Sequence, residues 1–176
     1  MAAIKFLAGL VLAALLQTGG TALWSGFPVV VDPFLVASVV AALTGRAERA
    51  LVAGTLAGWS ADALAGGPFG LYGLADGAVA YATALVAQRI VVDRRSSAAG
   101  VFAAAAAAQG ALLVALGVAF RGPQETLSPL ELVLRVAAAA ALGLVWMQLV
   151  RSVGSRWRRR RSPKSGGVTL PKSLLR

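Results

Sequence analysis

Apolar residues come in long runs, interrupted at short intervals by Gly, Pro and charge. The runs fall at about 5–24, 32–44, 49–65, 71–90, 98–119 and 129–150. A helix needs roughly 17–25 apolar residues to cross the hydrocarbon core of a bilayer. The pattern therefore predicts six membrane-crossing helices. The second and third are short, and the third is rich in Gly and Ala. A short second helix is expected to thin the bilayer slightly around it. Two helix starts carry their own signals. In "VDPF", Asp32 suits the N-cap and Pro33 the first helical position. In "SPLE", Ser128 and Pro129 repeat the device, and Glu131 completes a capping box. Both read as outer starts, of the second and sixth helices. Capping accounts for Asp32 and Glu131 without a catalytic role.

Composition narrows the class further. The chain of 176 residues is 58% hydrophobic and 14% charged, with mean hydropathy +0.76. A soluble domain of that size needs far more polar surface, so the fold class is all-α integral membrane. With no Cys and no His, thiol chemistry, disulfides and the usual zinc ligands are excluded. No cofactor and no metal are expected. Lys5 precedes the first apolar run, as in a secretory leader, but no clear small-x-small cleavage site follows. The run reads as a retained helix.

Charge supplies the orientation. Of the 17 Lys and Arg residues, only Arg121 and Arg135 fall on one side of this segmentation, and the acidic residues lean the opposite way. The positive-inside rule then places both termini in the cytoplasm. The expected organisation is a six-helix transmembrane domain over 1–152 and a basic, flexible cytoplasmic tail over 153–176. The run Arg156–Arg161, with Trp157 inside it, suits anionic lipid headgroups as well as anchoring of the last helix. Nucleic acid is not the expected partner.

The informative stretch is "GTLAGWSADALAGGPFGLYGLADG". Ala50, Gly54, Gly58, Asp62 and Gly66 recur at every fourth position and line one stripe of the third helix. Gly54 and Gly58 form a GxxxG pair, which admits a second backbone at close range in lipid. Gly73, Gly77, Ala80 and Ala84 make a matching stripe on the fourth helix. The connection "AGGPFG" is too short for anything but an antiparallel hairpin. Asp62 follows Glu48 by fourteen residues, roughly 21 Å along a helix. Asp76 lies at similar height, so both carboxylates belong to the outer half of the bilayer. Arg135 enters from the outer side of the sixth helix. An Arg near mid-membrane costs roughly 2.5–3.5 kcal/mol on insertion scales and needs a partner. Asp62, Asp76 and, at i−4, Glu131 are the candidates, with snorkelling to the outer surface as a further option. Gln109, within the Ala-rich fifth helix, suits hydrogen bonding across helices.

These residues resemble those of the rod shape-determining MreD family. That family carries a pattern close to Gly-x-x-x-Gly-x-x-x-Asp-x-x-x-Gly-x-Pro-x-Gly at the hairpin of its third and fourth helices. Gly54, Gly58, Asp62, Gly66, Pro68 and Gly70 match it in order. The likeness covers about 5–155. The Arg-rich tail departs from it, as does Trp59, where an aliphatic residue is expected. The resemblance implies a bundle like the substrate-binding components of energy-coupling-factor transporters. It also implies a non-enzymatic scaffold of the bacterial elongasome in the inner membrane. The implied partners are MreC, the RodA glycosyltransferase with its transpeptidase partner, and the MreB cytoskeleton. Two other readings compete. A vitamin-binding transporter component shares the hairpin, but the first helix offers Gly9 and Ala13 in place of AxxxA. An intramembrane aspartyl enzyme built on Asp62 and Asp76 lacks the GxGD signature, since the chain reads "LADG".

Overall fold

Glycine, proline and charge set where the helices stop. In a computed structural model, which describes residues 2–44, 46–66, 70–89, 95–121 and 128–161, the described residues are almost all helical. The helices are α1 (Ala2–Leu23), α2 (Phe27–Val30), α3 (Pro33–Thr44), α4 (Ala47–Ala65), α5 (Leu71–Ala87), α6 (Arg95–Arg121) and α7 (Pro129–Arg161). The chain divides into two compact units, Met1–Val145 and Trp146–Arg176. In the second unit the helix continues through Arg161. Arg is a good helix former, and no Gly-Pro signal intervenes before Pro163. Residues 162–176, the rest of the tail, lie outside the described residues.

Four stretches are long and apolar enough to cross a membrane: Phe6–Leu23, Phe27–Thr44, Ser97–Phe120 and Leu130–Gln148. In the second, α3 itself is short, 12 residues, as the apolar run predicts. A single turn, α2, precedes Asp32, and Val31 is extended between the two pieces. The apolar run thus gains a turn at its start, and Asp32 sits within it rather than at its end.

The first unit is inverted relative to a water-soluble protein. Leu23 (90% exposed), Ile4 (71%) and Leu15 (64%) face outward, while Asp76 and Gln109 (0%) and Arg135 (2%) are buried. Without water in a bilayer, polar side chains gain only by turning toward one another, and apolar ones lose nothing by facing lipid.

Packing is tightest between α4 and α5, where small residues face each other. A Cβ on Gly54 would lie 2.7 Å from Ala80 Cβ, and one on Gly58 would lie 2.6 Å from Gly73 Cα. Real Cβ atoms do not approach so closely, so these two glycines set the distance between the helices. The indole of Trp59 also lies against Gly73, its Nε1 2.5 Å from where a Cβ would sit. Ala42, Ala47, Ala50, Ala80 and Ala84 form a cluster joining α3, α4 and α5. Ala13, Phe34 and Ala57 join α1 to α3 and α4.

Candidate functional site

Asp62 stands in the last turn of α4, a poor place for an anion by the dipole of its own helix. The hairpin reverses that. α4 ends at Gly66, whose φ of 64° is the left-handed conformation that suits glycine. The chain re-enters helix at Gly70, also left-handed with φ 109°. Gly70 has no side chain to cap the new helix, so the first amides of α5 need an acceptor from elsewhere. Asp62 supplies it. Its Oδ2 accepts from the backbone N–H of Gly70 (2.9 Å) and Gly73 (3.1 Å), and its Oδ1 from that of Tyr72 (3.2 Å). One buried carboxylate therefore caps the neighbouring helix and closes the hairpin. Pro68 lies outside the described residues.

Arg135 takes a partner that the sequence did not suggest. Its Nη2 donates to Asp32 Oδ2 at 2.8 Å, an ion pair with both side chains buried. It bonds neither Asp62 nor Asp76 nor Glu131 among the described residues. Glu131 is occupied by its cap: it accepts from the Ser128 amide at 2.8 Å, while its own amide donates to Ser128 Oγ at 3.2 Å. Asp62 is spent on the α5 amides. Asp32 does cap α3, accepting from the Leu35 amide at 3.0 Å through Oδ1. The cap uses only that oxygen, which leaves Oδ2 for Arg135. The capping signal at Asp32 was legible; its second role was not, because its partner lies 103 positions away.

Gln109 links the parts. Its Nε2 donates to Asp32 Oδ2 at 2.8 Å and to Asp76 Oδ1, and its Oε1 accepts from Arg135 Nη2 at 2.9 Å. The Tyr72 ring centroid lies 5.8 Å from the guanidinium carbon, within the range of a cation–π contact. Asp32 at the start of α3, Tyr72 and Asp76 of α5, Gln109 of α6 and Arg135 of α7 thus meet in one centre. Asp76 and Arg135 are brought together there only through Gln109. Asp62 and the glycines form a separate structure at the hairpin.

Two atoms of the centre, Asp76 Oδ2 and Arg135 Nε, are buried without a hydrogen-bond partner. Among the described residues, no group of three or more acidic side chains is placed to hold a metal. No family model matches the chain, and neither a curated protein nor a solved structure does.

Proposed function

We propose that this chain is a six-span inner-membrane scaffold of the bacterial elongasome that binds MreC and supports lateral peptidoglycan synthesis, with no catalytic role of its own. On this reading α4 and α5 cross the membrane beside the four longer apolar stretches, both termini are cytoplasmic, and the bundle is related to transporter substrate-binding components. The resemblance to MreD at Gly54, Gly58, Asp62, Gly66, Pro68 and Gly70 motivates it. The observation that carries it is the use to which these residues are put. Gly54 and Gly58 hold two helices in contact, and Asp62 spends both oxygens on backbone amides. A carboxylate that accepts from three backbone amides, with both oxygens engaged, acts as a brace. Such a rigid hairpin suits a protein whose task is to present a fixed surface to partners. The basic helix beyond residue 150 suits anionic lipids at the cytoplasmic face.

Co-purification after mild crosslinking in membranes tests this. MreC, RodA and its transpeptidase partner are the expected captures. An ATPase with a membrane transducer in their place would replace the scaffold reading with the transporter one.

A further inference from the structure

The charges of the buried centre do not balance. Arg135 and Asp32 form an ion pair and neutralise each other. Asp76 is fully buried, and no cation bonds it among the described residues. Its Oδ1 receives one amide hydrogen from Gln109, a neutral donor, and its Oδ2 receives none. The other helices packed against α5 bring no relief. α3 brings Asp32 and α4 brings Asp62, both acidic. α6 brings the neutral Gln109. α7 brings Arg135, already paired, and α5 itself adds the phenol of Tyr72. An ionised Asp76 would be a lone carboxylate with one bare oxygen in an apolar interior, which proteins avoid by neutralising the group.

We propose that this centre is a proton-binding site, in which the Asp76 carboxyl carries one exchangeable proton on Oδ2 while Oδ1 accepts from Gln109. The ligand is a proton rather than a metal cation for a reason of coordination. A sodium-sized ion needs several oxygens around it. Among the described residues no group of three or more acidic side chains is placed to supply them, Asp32 Oδ2 is taken by Arg135 and Gln109, and Gln109 Oε1 by Arg135. A proton needs a single lone pair. Its loss would place an uncompensated negative charge between α5 and α3, close to the Asp32 carboxylate that Gln109 also bonds. The site therefore ties the packing of these helices to proton occupancy.

Infrared difference spectroscopy of the full-length protein in lipid nanodiscs tests this. Wild type at neutral pH should show the C=O stretch of a protonated carboxylic acid. Carbon-13 labelling of aspartate should move that band, which assigns it to Asp without any variant. Asp76→Asn should remove it, and Asp62→Asn should leave it. Asn copies the neutral carboxyl in shape, so Asp76→Asn should keep the wild-type melting temperature, whereas Asp32→Asn should lower it. Absence of the band in wild type would overturn the proposal, as would its survival in Asp76→Asn. A sodium-dependent rise in melting temperature without the band would also overturn it, assigning the centre to a metal cation. None of these outcomes depends on MreC binding, so the scaffold reading stands or falls separately.

Discussion

Replacing Asp62 with Leu removes an acceptor from three backbone donors at once. The Gly73 amide is buried, and those of Gly70 and Tyr72 are partly so. A buried orphaned donor costs about 1–3 kcal/mol, and each partly buried bond contributes about 0.5–1.5 kcal/mol net. The carboxylate also loses its favourable place at the α5 N-terminus, worth about 0.3–1 kcal/mol. Asp62→Leu should therefore destabilise the protein by about 2–7 kcal/mol. Asp62→Asn keeps one acceptor oxygen but turns an NH2 group toward other donors, so its cost should be roughly half of that. Equilibrium unfolding in mixed micelles measures both. Tryptophan fluorescence is a suitable reporter because Trp59 lies against Gly73, one of the capped residues. Val52→Leu, at an exposed position of α4, is the control and should behave as wild type. If Asp62→Leu unfolds with wild-type stability, the capping argument is wrong, and the three hydrogen bonds hold nothing together.

Gly58→Ala should already loosen the α4–α5 pair, and Gly58→Leu should abolish it, because even a methyl group meets Gly73 Cα at 2.6 Å; melting temperature and resistance to proteolysis at the hairpin report this. Breaking the buried pair from one side, by Arg135→Leu or Asp32→Leu, should cost about 3–5 kcal/mol each. The double variant should cost much less than the two together, and an additive double-mutant cycle would contradict the pairing. Reporter fusions after residues 46, 93 and 160 should read as cytoplasmic, and fusions near 67 and 124 as periplasmic; one reversal breaks the six-span arrangement.

Much of this protein was legible in order along the chain. Helix positions follow from apolar runs, because the bilayer demands a minimum length and satisfied backbone groups. The small-residue stripes of α4 and α5 follow from a period of four, because side chains at i and i+4 share a helix face. The caps at Asp32 and Ser128 are local, and local hydrogen bonds are written in adjacent residues. The pairing of Asp32 with Arg135 is not local. The two stand 103 positions apart, and the sequence offered the guanidinium other acidic candidates, Asp62 and Asp76 at similar depth and Glu131 one turn away. Asp62 was already used by the α5 amides and Glu131 by its own cap, while Asp76 meets Arg135 only through Gln109. The cap at Asp32 uses one oxygen, which leaves the other for Arg135. Sequence lists the donors and acceptors; only the packing of α3, α5, α6 and α7 determines which lone pairs are left when Arg135 arrives.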